Sequence, residues 1–107
     1  MKGAYLRFYT HENRKVQGML FYEWLLDHAK KLGIHGGTAF KAMAGFGRHG
    51  VLHESKFFEL AGDLTVEVEF IVTEDEARKL LDIVRDAKLR VFYASTPAEF
   101  GIIEGDG

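Results

Sequence analysis

A glycine-rich run near the middle of the chain is the first candidate for chemistry in this sequence. Residues 44–50 read AGFGRHG and contain the pattern G-x-G-x-x-G, which in dinucleotide-binding proteins lets the backbone approach a pyrophosphate. That function requires the glycines to lie between a strand and a helix of a parallel β-α-β unit. The helical periodicity after Gly50 is weak, so we do not predict a dinucleotide-binding fold.

Two other interpretations of these glycines stay open at this point. Gly45 and Gly47 could serve only a bend or a bulge where the chain leaves a strand. Alternatively, their peptide N–H groups could approach an anion, and the guanidinium of Arg48 could offer a planar pair of donors to a phosphate.

The histidines and the serine of the same region give little indication of a metal site or of catalysis. His49 and His53 are four residues apart, a spacing that would place both imidazoles on one helix face, but Gly50 lies between them and no third ligand is near. Ser55 stands close to His53 in sequence, yet neighbours in a loop do not form a positioned nucleophile and base. We therefore predict neither a metal site nor an enzyme.

Composition excludes several classes of protein. The 107 residues, 47% of them hydrophobic, suit one domain with a single core. A net charge of −2 without a basic block argues against nucleic acid as a partner. The chain has no cysteine, so a disulfide framework and a thiolate site are excluded. We find no signal peptide and no apolar run long enough to span a membrane, and we expect a cytoplasmic protein.

An alternation of apolar and polar residues predicts the strands that must position these groups. We expect Pro97 to end regular structure, with a short extra strand over residues 100–103 as an option for the tail. The predicted strands cover residues 4–9, 38–46, 64–72 and 91–94.

Helical spacing of apolar residues predicts two helices. The first lies within residues 16–32 and should end at Gly33. Thr73 stands three residues before Glu76, which is the spacing of a capping box at the start of the second helix. The apolar stripe of that second helix runs over residues 77–87.

The resulting order, β-α-β-β-α-β, predicts a ferredoxin-like α+β fold, in which two helices cover one face of an antiparallel four-stranded sheet. We expect one domain over residues 1–107, with a long loop at about 47–63. This loop carries Phe57 and Phe58, which is unusual for a solvated linker. It could be a short helix docked on its own domain, or an arm that presents these rings to a partner or orders around a ligand.

The sheet face without helices is predicted to mix large rings with charges of both signs. A solvated antiparallel face is normally more uniformly polar, whereas rings that bury area and charges that fix register suit contact with another copy. We therefore predict a cyclic homo-oligomer through this face, with the interface residues Tyr5, Arg7, Tyr9, Lys41, Met43, Glu67 and Glu69.

The chain also resembles a known family. Residues 45–48, GFGR, end a strand and open a long loop, as at the start of the T-loop in PII signalling proteins. Together with residues 32–38, LGIHGGT, they resemble more closely the PII-like group called DUF190. The resemblance implies a homotrimer that binds small effectors, commonly adenine nucleotides, in clefts between subunits, with Gly47 and Arg48 lining the cleft. It also implies a loop that signals to a transporter or an enzyme.

One departure from the PII pattern concerns the connection between the second helix and the last strand. PII proteins carry a second glycine-rich phosphate loop there, whereas this chain reads AKLR over residues 87–90. Lys88 and Arg90 would have to supply the charge instead. We expect a regulatory protein whose effector site contains Gly45, Gly47, Arg48, Lys88 and Arg90. The alternative is a metal-binding or purely structural oligomeric module that binds no nucleotide.

Overall fold

Six strands and two helices make up the part of the chain that the computed structural model describes, residues 1–45 and 64–106. The helices are α1, Phe21–Lys31, and α2, Glu74–Asp86. The strands are β1 (Lys2–His11), β2 (Lys15–Val16), β3 (Met19–Leu20), β4 (Gly37–Lys41), β5 (Thr65–Thr73) and β6 (Phe92–Glu99).

Four strands form the main sheet in the order β4-β5-β1-β6, and every neighbouring pair is antiparallel. The central strand β1 pairs with β5 from Gly3 opposite Thr73 to His11 opposite Thr65. Both helices pack on the same face, so the predicted ferredoxin-like fold is confirmed.

The core lies between this sheet and the two helices. Alternation along β1 and β5 turns every second side chain toward the helices, and the Phe8 and Phe70 rings meet edge to face with centroids 6.1 Å apart. Burying one such large apolar side chain contributes about 1.5–3 kcal/mol. The largest fully buried side chains are Phe8, Phe21, Phe70, Leu6, Leu25, Leu80, Val68 and Val72.

Both predicted helix-end signals are present. The Thr73 hydroxyl accepts a hydrogen bond from the Glu76 N–H at 3.2 Å, and the Glu76 carboxylate accepts one from the Thr73 N–H at 3.0 Å. Gly33 follows α1 with φ of 88°, a left-handed conformation that favours glycine. The next N–H, that of Ile34, bonds the Ala29 carbonyl at 3.1 Å, which completes a Schellman ending.

The start of the first helix differs from the prediction. Helix α1 begins only at Phe21, because residues 15–20 form a small hairpin of β2 and β3. Its two-residue turn consists of Gln17 and Gly18, with φ of 50° and 81°. Positive φ at both central positions is typical of a hairpin turn that matches strand twist, and Gln-Gly is a weak sequence signal for it.

The predicted phase of the strand before the long loop was wrong. Phe40 lies opposite Glu67 on the face without helices, whereas Lys41 lies opposite Val66, on the helix side. In this register Gly37 lies opposite the buried Phe70 ring, and a Cβ on Gly37 would lie 2.4 Å from Cε1 of that ring, so only glycine fits there. Met43 lies beyond the end of β4, and its side chain is exposed.

The last strand also runs further than predicted. β6 continues through Pro97, which pairs with Ala4. This is possible because β6 lies at the sheet edge, where a missing N–H on the outer side costs no ladder bond. Residues 100–103 form no strand, although Phe100 and Met1 exchange backbone hydrogen bonds of 2.9 Å.

The turn after α2 yields a test of backbone strain. Lys88 has φ of 58°, a conformation that disfavours a side chain. Lys88→Gly should therefore raise the free energy of unfolding by about 0.5–1 kcal/mol, measured by urea denaturation. The matched opposite change, Gly33→Ala, should lower it by about 1 kcal/mol. A loss of stability in Lys88→Gly would contradict this account of the turn.

Candidate functional site

Three of the predicted effector residues lie at one end of the sheet. In the strand register, the end of β4 and the start of β6 lie at the same end of β5 and β1. Gly45 follows β4, and Lys88 and Arg90 precede β6. They lie at opposite edges, however, because β4 and β6 are three strand spacings apart, about 14 Å.

The structure describes the glycine-rich run only as far as Gly45. Gly45 does not have a positive φ, and a Cβ placed on it would have no atom within 4 Å. Neither a left-handed bend nor crowding within the described chain therefore requires glycine there. The open backbone at this position could be approached closely by a ligand.

The connection before β6 presents its two cations to solvent. Lys88 and Arg90 are exposed, whereas the intervening Leu89 and the following Val91 pack partly against the core. The Arg90 carbonyl accepts a hydrogen bond of 2.6 Å from Arg14 Nη1. Arg14 was not predicted as a site residue, because nothing in its sequence neighbourhood indicates this contact.

An ion pair joins the end of β4 to Glu12, which follows β1. Lys41 Nζ lies 2.9 Å from Glu12 Oε2, and the Glu12 backbone N–H donates to the Leu64 carbonyl at 2.9 Å. The hydrogen bond from Lys41 is the main reason that the pKa of Glu12 is lowered. Glu12 therefore ties the end of β4 to the residue that precedes β5.

Other predicted residues lie outside the described part of the chain. These are Gly47, Arg48, Phe57 and Phe58, together with the histidines at 49 and 53. Their roles, and the long loop expected at about 47–63, stay predictions.

Residues 1–45 and 64–106 contain neither a metal-ligand cluster nor a membrane-spanning helix. Within these ranges, the structure brings no three histidine, aspartate or glutamate side chains together as a metal site. Neither α1 nor α2 is long and apolar enough to cross a membrane.

The open face of the sheet, meaning the face away from the helices, carries a connected polar cluster. The Tyr5 hydroxyl donates a hydrogen bond to Glu69 Oε1. Arg7 lies with its guanidinium carbon 4.6 Å from the Tyr5 ring centroid, and its Nη1 is 3.9 Å from Glu67 Oε1. The Nε of Arg7 is buried and has no hydrogen-bond partner among the described residues.

The pKa values of the two carboxylates in this cluster are shifted in opposite directions. The hydrogen bond from Tyr5 lowers the pKa of Glu69. Burial, followed by the hydrogen bond with Glu69, raises the pKa of Glu67. As the pH falls, Glu67 therefore takes up a proton before Glu69, and ionised Glu67 is less favourable in the folded chain than in the unfolded one.

Large apolar side chains surround this polar cluster. Phe40, Ile71 and Phe92 remain 50%, 51% and 48% exposed. The Phe92 ring lies 5.5 Å from that of Tyr9, centroid to centroid. The structure thus brings most of the predicted interface residues together on this face: Tyr5, Arg7, Tyr9, Glu67 and Glu69. That another copy covers them stays a prediction.

A recess of about 320 Å³ opens beside this cluster, at the start of β4. Its walls combine apolar groups, such as Ile71 and Phe70, with the Glu69 carboxylate and the peptide groups of Gly36 and Gly37. A flat, mainly apolar group with a few hydrogen-bonding atoms suits such walls. In the sequence, residues 36–38 stand out only as part of a family resemblance, and their place in a recess depends on the β4–β5 register.

A second recess, of about 450 Å³, lies between α2 and β6. Its two cations, Arg78 and Arg85, already pair with Asp75 and Asp82. Neither recess is lined by Gly45, Lys88 or Arg90.

The opposite pKa shifts on the open face predict opposite pH effects. A raised pKa means that Glu67 costs stability once it ionises, so Glu67→Gln should be more stable than the wild type at pH 7. The gain should shrink as the pH falls through the raised pKa of folded Glu67 toward 4.5, the ordinary value of glutamate, and should be small below 4.5, because Glu67 is then protonated in both states. Urea denaturation at a series of pH values measures this.

Glu69→Gln is the matched control, because the pKa of Glu69 is lowered. Its ionised form stabilises the fold, so this variant should lose stability at neutral pH and converge with the wild type in acid. If the change in stability depended on pH in the same way for both variants, the opposite pKa shifts of Glu67 and Glu69 would be contradicted.

The sequence matches a family model over residues 3–98, that of DUF190, described as an uncharacterized ACR. A UPF0166 protein of Aquifex aeolicus is 35% identical over 85 residues, which cover 79% of this chain and 81% of the relative. A UPF0166 protein of Methanocaldococcus jannaschii is 32% identical over 81 residues, or 76% of this chain and 74% of the relative.

Two solved structures have a similar fold. A PII-like protein of Thermus thermophilus matches with a TM-score of 0.61 at 17% identity, over 92% of this chain and 88% of that one. CPII, a nitrogen regulatory PII-like protein of Thiomonas intermedia bound to ADP, AMP and bicarbonate, matches with a TM-score of 0.57 at 20% identity. That alignment covers 95% of this chain and 98% of CPII.

The long family match, the relatives above 30% identity and the shared sheet topology agree. This chain belongs to the DUF190 family, and its fold is that of PII-like proteins.

Proposed function

We propose that this protein is a cytoplasmic, non-catalytic regulator of the PII-like type, which binds an adenine nucleotide in clefts between the subunits of a homotrimer. The recess at residues 36–38 carries the proposal, because it opens on the sheet face that a second copy would cover. The complex of CPII with ADP and AMP supports the choice of ligand, since CPII shares the fold.

The recess suits the base of the nucleotide. Ile71 and the Tyr5 ring offer apolar surface to a flat ring system. The Glu69 carboxylate, whose pKa is lowered, stays ionised near neutral pH and can accept hydrogen bonds from an exocyclic amino group. The peptide group at Gly36 can come close to the ligand, because a Cβ there would have no atom within 4 Å.

The phosphates are assigned to the other end of the sheet. Gly45 offers open backbone there, and Lys88 and Arg90 offer exposed cations, with Gly47 and Arg48 as further predicted ligands. Within one protomer these groups lie far from the recess, since β4 runs between them. A cyclic, head-to-tail interface would bring the recess of one copy to the basic end of the next.

Signalling would follow from the position of Gly45 at the base of the long loop. A nucleotide bound there would favour the loop conformation that contacts it better. Binding would therefore shift the populations of the loop conformations. The rings of Phe57 and Phe58 would then be presented to, or withheld from, a transporter or an enzyme. The Glu12–Lys41 ion pair keeps the end of β4 fixed while the loop changes.

Nucleotide titration tests the effector site. Wild-type protein should bind at least one of AMP, ADP and ATP in calorimetry. Lys88→Gly should weaken binding by about 1.5–3 kcal/mol, or roughly 10- to 100-fold, because one charge-assisted contact is lost. Since the same change should stabilise the turn, weaker binding cannot be attributed to unfolding. Arg48→Ala should have a similar effect, and Lys79→Ala, which removes a cation earlier in α2, should have none.

Silence of the wild type toward every adenine nucleotide would contradict the proposed function. Titration with Zn²⁺ and Cu²⁺, with a His49→Ala/His53→Ala double variant as control, would then test the metal-binding alternative.

Disruption of the open face tests the assembly. Phe40→Asp places a charge among the exposed rings of that face and should convert the trimer to monomers, because burying an unpaired carboxylate is costly. Sedimentation at micromolar concentration measures the change. Met19→Asp, the same type of change in the β2–β3 hairpin, should leave the assembly intact. A monomeric wild type, or an unaltered Phe40→Asp trimer, would exclude this face as the interface.

A further inference from the structure

Arg14 links two parts of the chain that are far apart in sequence. It lies between β1 and β2, half-buried, and its Nη1 donates to the Arg90 backbone carbonyl at 2.6 Å. The same guanidinium lies over the Phe21 ring, 5.4 Å from its centroid. A guanidinium on a ring face keeps its edge free to donate, so both contacts fit one orientation.

The backbone of Arg14 is itself fixed from both sides. Its N–H donates to the His11 carbonyl at 3.1 Å, at the end of β1. Its own carbonyl accepts from the Phe21 N–H at 2.7 Å, at the start of α1. The backbone from which the Arg14 side chain extends is therefore held by hydrogen bonds to the end of β1 and the start of α1.

Within residues 1–45 and 64–106, the segment that receives this hydrogen bond has backbone hydrogen bonds only to the end of α2. After α2, the Ala87 and Lys88 N–H groups bond carbonyls of the last helical turn, at 3.1 and 2.9 Å. These bonds hold the end of the helix but do not relate the following residues to the sheet. Leu89 and Val91 pack partly on the core, and the Arg14 bond fixes the peptide between them.

We propose that Arg14 is a positioning residue for the effector site, an inference that rests on the proposed function. By holding the Arg90 carbonyl, it fixes the direction in which Lys88 and Arg90 present their charges. It acts through this connection and need not touch the ligand. A charge-assisted bond from a planar, permanently charged donor suits such a role better than a neutral side chain would.

The test combines a readout without ligand and one with ligand. Amide hydrogen exchange over residues 88–92, without nucleotide, reports how well the connection is held. Arg14→Ala should speed this exchange about tenfold, the effect of losing one charge-assisted hydrogen bond, and leave β1 and β5 unchanged. ADP affinity should fall about tenfold in the same variant. Arg14→Lys, which can still donate from a cation, should recover part of both effects.

Lys15→Ala is the matched control, because it removes the neighbouring exposed cation without touching the connection. Unchanged exchange in Arg14→Ala would overturn the inference, and so would faster exchange with unaltered ADP affinity. If Arg14→Ala does not fold, Arg14→Lys decides by the same two criteria. A wild type that binds no adenine nucleotide would overturn the proposed function instead, and the exchange data would still show whether Arg14 holds the connection.

Discussion

The ring of Phe70 occupies the space that a side chain at Gly37 would need, and much of the molecule depends on that contact. In the observed register Gly37 lies opposite this ring. A slip that placed Thr38 there would bring a side chain onto the ring, and a slip to Gly36 would exchange the two faces of β4. This register puts Phe40 on the open face and forms the recess beside Glu69.

The open face combines features that are unfavourable on a lone protomer. Three large apolar side chains are about half exposed, burial opposes the charge on Glu67, and Arg7 Nε is buried without a partner among the described residues. Contact with another copy would bury the rings and offer Arg7 new acceptors. These features are a physical reason for the proposed assembly. In that assembly the recess at residues 36–38 would lie between two copies, where a bound ligand would touch both.

Patterns that depend on local physics were readable from the sequence. The period-two strands β1 and β5, the Thr73–Glu76 capping box and the Gly33 helix end were predicted correctly, because neighbouring residues determine each of them. The phase of β4 was not readable from the sequence, since Ala39, Phe40 and Lys41 alternate ambiguously and either Gly36 or Gly37 could lie opposite the buried Phe70 ring. The path of β6 through Pro97 depends on its edge position, which only the sheet order reveals. Arg14 was missed for the same reason, as its partner is 76 residues away. Gly47, Arg48, Phe57 and Phe58 stay predictions.

Native mass spectrometry of the purified protein with ADP measures the central claim directly, because it counts chains and nucleotides in the same particle. Effector binding between subunits predicts trimers that carry up to one nucleotide per chain and monomers that carry none. Monomers that retain ADP, or trimers that never bind it, would contradict a site built from two copies.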